Sequence, residues 1–214
     1  MIKACIFDLD GVIVDTAHYH FMAWRRLAAE LGVILTEQEN EKLKGVSRMD
    51  SLEIILKLGG VVKSKEEKEA LATKKNTWFV EYINEMKANE IFPGVKELIQ
   101  QIRASGRKIA LASSSKNAET VIKLLGIGYL FDVMIDGTMI VHTKPDPEIF
   151  LLAASRLDVH PKDCLVFEDA EAGVEAAVRA GMKCIGIGSP IQLAKANIIV
   201  KNTADFDLKN LNAL

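Results

Sequence analysis

The sequence lacks the features that mark secreted, membrane-spanning and nucleic-acid-binding proteins. Its 214 residues include only three cysteines, Cys5, Cys164 and Cys184, an odd number at wide spacings that is poorly suited to a disulfide framework. No apolar run approaches the roughly 18 residues that a membrane-spanning helix needs, and no basic leader precedes a cleavage site. A net charge of -2 with both signs interspersed offers no positive surface for a polyanion. We therefore expect a cytoplasmic globular protein with buried free thiols that binds neither membranes nor nucleic acids.

What is present is an ordinary globular composition. Apolar residues make up 49% of the chain and charged residues 26%, which argues against disorder and against a fibrous protein. A chain of this length can bury a substantial core, either as one moderately large domain or as a core that carries a smaller insertion. We expect it to work as a monomer.

Short apolar runs alternate along the chain with stretches of helical periodicity. Such runs between helices are typical of strands in a parallel sheet. Their short connections favour right-handed crossovers with helices on both faces of the sheet. The sequence therefore predicts an α/β protein with a doubly wound, Rossmann-like parallel-sheet core. The predicted strands are 2–8, 107–112, 131–135, 164–167 and 183–187, and the predicted helices between them are 94–104, 116–125, 146–157 and 170–180.

The interval between the first strand and the helix at 94 breaks this alternation. It spans about eighty residues with helical patterns and no convincing strand, and Trp24, Leu27 and Leu31 lie on one stripe of its first helix. We interpret it as an inserted α-helical cap domain, 16–89, on a core domain formed by 1–15 and 90–214. The two crossings between these domains would act as a hinge.

Polar side chains follow the predicted strands at the points where they end. Ligands of open parallel sheets bind outside the carboxyl ends of the strands, so residues at these points are the first candidates for a functional site. Four successive strand ends carry carboxylates, a hydroxyl and an ammonium group, which is an improbable accident in a purely structural sheet. The residues are Asp8 and Asp10, Ser113, Lys144, and Glu168 and Asp169.

This combination suits phosphoryl transfer. A carboxylate that attacks a phosphate dianion meets strong repulsion unless positive charge intervenes, and Mg²⁺ provides that charge through oxygen ligands. Asp8, a backbone carbonyl near Asp10, and Asp169 or Glu168 could supply those ligands. One aspartate must attack the phosphate while the other handles the proton, and the spacing alone leaves open which does which.

The motifs resemble those of the haloacid dehalogenase superfamily of phosphotransferases. FDLDGV, Ser113, Lys144-Pro145 and Glu168-Asp169 occur in that superfamily's order along nearly the whole chain, and the helical insertion is similar to its cap domain. DTAHYHFMAW, LKGVSRMDSL, ALASSSKN and TKPDPEIF further resemble the β-phosphoglucomutase family within it. That resemblance implies interconversion of β-D-glucose 1-phosphate and glucose 6-phosphate through a β-glucose 1,6-bisphosphate, with Mg²⁺ as cofactor.

The resemblance also implies roles for individual residues. Asp8 would be the nucleophile that becomes phosphorylated, and Asp10 the general acid and base. Metal ligands would come from Asp8, Asp10, Glu168 and Asp169. Thr16, His20 and Lys75 are similar to the cap residues that position Asp10. The substrate and its phosphates would be bound by Trp24, Leu43, Lys44, Gly45, Val46, Ser47, Arg48, Ser113, Ser115, Lys116, Asn117 and Lys144.

Other interpretations remain open at this point. A phosphatase on the same scaffold would hydrolyse the phosphorylated enzyme and would need no second phosphate site. A signalling receiver would be phosphorylated on aspartate without turnover, but receivers place that residue after a middle strand. Among single residues, Trp24 could be a core side chain and Arg48 a surface arginine in a weak ion pair.

Overall fold

A computed structural model describes residues 1–43 and 46–213. Within these ranges, six parallel strands form one sheet in the order β3-β2-β1-β4-β5-β6. All five predicted strands are present, and the doubly wound parallel sheet is confirmed. A sixth strand at the edge was missed because it is three half-buried residues long. The strands are β1 (Ala4–Phe7), β2 (Lys108–Ala112), β3 (Val133–Ile135), β4 (Cys164–Glu168), β5 (Lys183–Ile187) and β6 (Ile198–Val200).

Both faces of the sheet are covered, as expected for parallel strands that are apolar throughout. Side chains alternate along β1, so Cys5 and Phe7 pack into the core on one face while Ala4 and Ile6 pack into the core on the other. Phe7 stacks on Phe167 of the neighbouring strand with ring centroids 4.4 Å apart. The residues that follow β1 and β4 are thereby held on a rigid, buried support.

The helices predicted for the core occur within two residues of their expected bounds. Gly126, which adopts the left-handed conformation with a φ of 68°, ends the helix that precedes it. The helices are α1 (Ala17–Glu30), α2 (Glu37–Asn40), α3 (Arg48–Leu58), α4 (Lys65–Ile83), α5 (Val95–Ala104), α6 (Ala118–Leu125), α7 (Glu148–Leu157), α8 (Glu171–Arg179) and α9 (Asn210–Ala213).

The first four helices all lie between β1 and α5, in the interval expected to be helical. Trp24 and Leu27 are buried on the predicted stripe of α1, and Leu31 is partly buried. Ser64 starts α4 with a capping box in which its side chain and that of Glu67 each bind the other's backbone N–H. We call α1–α4 the inserted helices; their treatment as a separate cap domain, 16–89, stays a prediction.

The chain passes between the inserted helices and the rest of the molecule at two neighbouring points. Val14 forms an isolated antiparallel bridge with Ile91, and the backbone N–H of Phe92 donates to the carbonyl of Ile13 over 2.9 Å. The side chain of Tyr19 also donates to Glu90 over 2.7 Å. The outgoing and returning segments therefore run side by side.

Two expectations about the whole chain can be compared with the structure. Cys5, Cys164 and Cys184 are buried and unpaired, as expected. Across the described ranges, no helix combines the length and the apolar character needed to cross a membrane.

Candidate active site

The ends of the central strands bring the predicted polar residues together. β1 lies between β2 and β4, with Phe7 in register with Leu111 and Phe167. Asp8 continues β1 and its backbone N–H donates to the carbonyl of Phe167 over 3.0 Å. Ser113, the residue after β2, is buried, and its backbone N–H donates to the carbonyl of Ile135. The predicted convergence of strand ends is therefore present in the fold.

Lys144 joins two of these strand ends through buried ion pairs. Its Nζ lies 2.6 Å from Asp8 Oδ1 and 2.5 Å from Glu168 Oε1, and all three side chains are buried. Burial alone would lower the pKa of Lys144, but the charges of Asp8 and Glu168 outweigh burial and raise that pKa above its usual value. The ammonium group is therefore a permanent positive charge beside Asp8.

Two effects act on the pKa of Asp8 in opposite directions. Burial raises its pKa to about 6, and the neighbouring Lys144 charge acts in the opposite direction. Because one carboxylate oxygen accepts a hydrogen bond from Lys144, the side chain is fixed in direction. A fixed, partly compensated carboxylate at a strand end suits a nucleophile.

The pKa of Asp10 is raised further than that of Asp8. Burial first, and then the charge of Asp8, raise its pKa to about 8. Its Oδ1 is buried and has no hydrogen-bond partner among the residues that the structure describes. At neutral pH this side chain holds a proton that it can donate to an oxygen entering the site.

The carboxyl groups beside Gly11 fit a hard divalent cation. The backbone of Gly11 approaches Asp169 so closely that an added Cβ would collide with the carboxylate. Burial, and then the charges of Glu168, Asp8 and Asp10, raise the pKa of Asp169 well above its usual value. A cation would relieve this repulsion between crowded acids.

The oxygen donors at these strand ends are of the kind that Mg²⁺ prefers in proteins. In the described part of the chain, no three His, Cys, Asp or Glu side chains form a ready metal cluster. Mg²⁺ usually keeps several waters and takes one or two carboxylates together with substrate phosphate. Both oxygens of Glu168 are engaged, one by Lys144 and one by the backbone N–H of Ala170. Asp8, Asp169 and the carbonyl of Asp10 are therefore better placed as ligands than Glu168.

His20, which is half-buried, and Lys75, which is buried, form a pair on the inserted helices. The Nζ of Lys75 lies 2.6 Å from His20 Nδ1, and His20 stacks on Phe79 with ring centroids 3.9 Å apart. Burial lowers the pKa of both groups well below their usual values, with Lys75 adding to the effect on His20 and Arg48 adding to the effect on Lys75. Thr16 is buried one turn before His20, whose N–H donates to the Thr16 carbonyl. Thr16 and His20 are therefore adjacent at the start of α1, and Lys75 contacts His20, while their predicted action on Asp10 stays a prediction.

A cavity of about 740 Å³ separates these helices from the strand ends. Its floor is formed by predicted residues that follow the strands, namely Asp8, Asp10, Ser113, Ser115, Lys116 and Asp169. Its roof is formed by predicted residues of the inserted helices, namely His20, Trp24, Leu43, Val46, Ser47, Arg48 and Lys75. Trp24 is thus buried and also lines the cavity, so its core and binding interpretations are compatible.

Four of the predicted residues lie outside the cavity wall. Thr16, Asn117, Lys144 and Glu168 do not line the cavity but contact residues that do or lie beside them in sequence. Lys44 and Gly45 lie outside the described residues, and their predicted roles stay predictions.

Two further cationic side chains, Arg48 and Lys116, line the cavity. Arg48 is the first residue of α3, where Ser47 caps the helix by accepting a hydrogen bond from the N–H of Asp50 over 3.1 Å. Burial lowers the pKa of Arg48, though a guanidinium stays charged at neutral pH. Lys116 lines the same cavity just before α6. Arg48 and Lys116 therefore offer the cavity positive charge in addition to that of Lys144 beside Asp8.

Sequence reasoning missed several residues around the cavity. Lys65, Glu69 and Thr73 line it from one face of α4, and their four-residue spacing could have indicated this. Thr143 contacts Asp50 over 3.4 Å between their side-chain oxygens. Asn76 contacts Asn117, and no sequence pattern distinguishes it from other polar residues on α4.

Comparison with known proteins agrees with this geometry. A family model described as haloacid dehalogenase-like hydrolase matches residues 2–181. The chain belongs to the haloacid dehalogenase superfamily. The resemblance inferred from FDLDGV and the later motifs is therefore confirmed.

Individual members of the superfamily match nearly the full chain. The β-phosphoglucomutase of Bacillus subtilis (strain 168) is 42% identical over 98% of this chain and 94% of its own length. A phosphorylated carbohydrates phosphatase of Thermotoga maritima is 37% identical over 86% of this chain and 83% of its own. The crystal structure of β-phosphoglucomutase from Clostridium difficile superposes with a TM-score of 0.96 at 44% identity, covering 100% of this chain and 96% of that one.

Proposed function

We propose that this member of the haloacid dehalogenase superfamily is a β-phosphoglucomutase. It interconverts β-D-glucose 1-phosphate and β-D-glucose 6-phosphate through a β-glucose 1,6-bisphosphate. Identities of 42% and 44% to two β-phosphoglucomutases over nearly the whole chain support this function. The observation that carries it is a single cavity that is lined by Arg48 and Lys116 as well as by Asp8 with its partner Lys144, because a bisphosphate presents two anions at once.

In this proposal Asp8 is the nucleophile. Its carboxylate oxygen attacks the phosphorus of the bisphosphate, and the bond to the sugar oxygen breaks as the aspartyl phosphate forms. Lys144, fixed 2.6 Å from Asp8, and Ser113 at the next strand end stabilise the negative charge on the phosphate oxygens. Both groups are buried, so little reorganisation is needed during the reaction.

Asp10 is the general acid and base. Its raised pKa keeps it protonated when the sugar oxygen departs, and the same group takes a proton back when the other hydroxyl of the sugar attacks the aspartyl phosphate. Thr16, His20 and Lys75 orient Asp10 from the inserted helices. Approach of these helices to the strand ends, with the two crossings near 14–16 and 88–91 as hinge, would complete the site and exclude water.

Mg²⁺ is the proposed cofactor. Asp8, the carbonyl of Asp10 and Asp169 would hold it, with Glu168 fixing Lys144 and the start of the segment before α8. Bound Mg²⁺ offsets the repulsion between the attacking carboxylate and the phosphate dianion.

The second candidate is a sugar-phosphate phosphatase. The 37% identity to a phosphorylated carbohydrates phosphatase favours it. Such an enzyme would let water attack the aspartyl phosphate and would release free phosphate. The additional cavity-lining cations Arg48 and Lys116 argue for the mutase, because a phosphatase acting on a monophosphate gains nothing from a second anion site.

A direct assay separates the two candidates. The protein is incubated with β-glucose 1-phosphate, Mg²⁺ and a trace of β-glucose 1,6-bisphosphate, and both glucose 6-phosphate and free phosphate are measured over time. We expect glucose 6-phosphate to form much faster than phosphate, and Asp8→Asn to abolish its formation. Phosphate release at a comparable rate would show a phosphatase, and full turnover by Asp8→Asn would refute the proposed nucleophile.

The proposed working form is a cytoplasmic monomer whose partners are small sugar phosphates. All the cavity-lining residues named above belong to one chain, so a second copy is not needed to build the site.

A further inference from the structure

A side-chain hydrogen bond links the inserted helices to the segment that follows β2. Asn117 Nδ2 donates to Asn76 Oδ1 over 2.8 Å, and both side chains are partly buried. Asn76 belongs to α4, directly after Lys75, while Asn117 immediately precedes α6. The bond therefore spans the two sides of the cavity, although Asn76 itself does not line it.

Asn117 is the last member of a short chain of hydrogen bonds that begins beside Asp8. The backbone N–H of Ser115 donates to Ser113 Oγ, and the backbone N–H of Asn117 donates to Ser115 Oγ, each over 3.2 Å. Ser113 and Ser115 line the cavity together with Lys116, which lies between these bonded residues. Whatever holds Asn117 therefore also restrains the segment that carries Lys116.

We propose that Asn76 is a positioning residue that couples the approach of the inserted helices to the binding of the phosphate that is not being transferred. The inference rests on the proposed mutase function. When α4 lies against the strand ends, the Asn76 carbonyl oxygen fixes the Asn117 amide and, through the Ser115 bond, the segment that presents Lys116. When α4 moves away, that restraint is lost and the second anion site loosens.

This coupling matters for a mutase because the bisphosphate must bind in two orientations. In either orientation, the bisphosphate differs from a monophosphate by the second phosphate, which lies away from Asp8. Asn76 does not touch the reacting atoms, so its loss should weaken binding of the bisphosphate and leave the chemical step on Asp8 intact. A neutral hydrogen bond of this kind is worth roughly a three- to tenfold change in an equilibrium constant.

The test is kinetic analysis of Asn76→Ala in the full-length protein. We expect the KM for β-glucose 1,6-bisphosphate to rise about three- to tenfold with kcat changed less than about twofold, and phosphate release per mutase turnover to increase. Alanine is the better helix former, so the variant does not weaken α4. Thr77→Ala, its exposed neighbour on the same helix, is the matched control and should behave as the wild type.

A double-mutant cycle with Asn117→Ala distinguishes a specific coupling from a general disturbance. We expect Asn76→Ala to add little to the KM of the Asn117→Ala protein, because the bond is already absent there. Equal kinetics for Asn76→Ala and Thr77→Ala, or fully additive effects in the cycle, would overturn the inference. Absence of mutase activity in the wild type would instead refute the proposed function.

Discussion

The acid side chains of the site are placed where ionisation is unfavourable. Asp10 is half-buried with its Oδ1 atom buried, and burial together with the charge of Asp8 raises its pKa to about 8. In the unfolded chain an aspartate releases its proton near a pH of about 3.9. Between these two values the folded protein binds more protons than the unfolded chain, so the contribution of Asp10 to stability falls as the pH rises.

This linkage predicts a pH-dependent gain in stability for Asp10→Asn. Asparagine does not ionise, so the variant does not lose stability through this position as the pH rises. Each unit of pKa difference corresponds to about 1.4 kcal/mol. We expect the variant's advantage in the free energy of unfolding to grow by more than about 1 kcal/mol from a pH of about 5 to a pH of about 8.

Urea unfolding of both proteins, with EDTA to remove divalent cations, measures this difference. His20 and Lys75 have lowered pKa values and shift stability in the opposite direction in both proteins, and the two proteins differ here only through the charge of Asp10, which raises the pKa of Lys75. A constant difference across the pH range would contradict the raised pKa of Asp10.

At the residue scale the sequence identified side chains that carry their own chemistry. Asp8, Lys144 and Asp169 could be selected because charged groups at strand ends are unusual in a structural sheet. Asn76 could not, since an asparagine on a partly exposed helix face gives no signal until the fold brings Asn117 within 2.8 Å. The engagement of both Glu168 oxygens likewise depends on where Lys144 and Ala170 lie in space.

At the scale of elements, the turn after β1 brings two strand ends into contact. Gly11 has a φ of 76°, in the left-handed region that glycine adopts without strain, and its missing side chain leaves room for Asp169. Gly106 has a similar φ of 81°, but nothing lies within 4 Å of the place where its Cβ would be. Gly106 therefore serves as a control for Gly11, because it has a similar φ and no close neighbour.

We predict that Gly11→Ala loses at least as much stability as Gly106→Ala and that only Gly11→Ala loses activity. In each variant the alanine must adopt the left-handed conformation, which costs about 1–2 kcal/mol of stability. Only Gly11→Ala must also displace the Asp169 carboxylate, so only this variant should lose mutase turnover, by about tenfold or more, and require more Mg²⁺ for half-maximal rate. Thermal unfolding and a Mg²⁺ titration of the rate test this, and equal rates for the two variants would contradict the role of Asp169.

The elements themselves differed in how well the sequence predicted them. The core strands were found because runs such as CIF and LVF are buried on both faces, which leaves no alternation to obscure them. β6 is an edge strand of three half-buried residues, and its pairing with β5 depends on the fold of the rest of the chain. The inserted helices were predicted from their helical periodicity without bounds for each helix, and caps such as Ser64 with Glu67 set those bounds in the structure.

At the scale of the whole molecule, the cavity belongs to two parts of the chain that are distant in sequence. The strand ends supply Asp8 and its partner Lys144, and the inserted helices supply Arg48. Phosphorylation of Asp8 by a small donor needs only the first set, whereas a bisphosphate needs both. Binding of the bisphosphate is therefore a property of the assembled molecule.

Arg48→Ala separates these two requirements. We expect the KM for β-glucose 1,6-bisphosphate to rise at least about tenfold, because hydrogen bonds to a charged group contribute about 1.5–3 kcal/mol. Phosphorylation of Asp8 by acetyl phosphate, followed by mass spectrometry of the intact protein, should proceed as in the wild type. Arg25→Ala removes an exposed arginine of α1 and serves as the control. An equal loss of both activities would show that Arg48 supports the fold or the reaction centre, and the second anion site would then have to lie elsewhere.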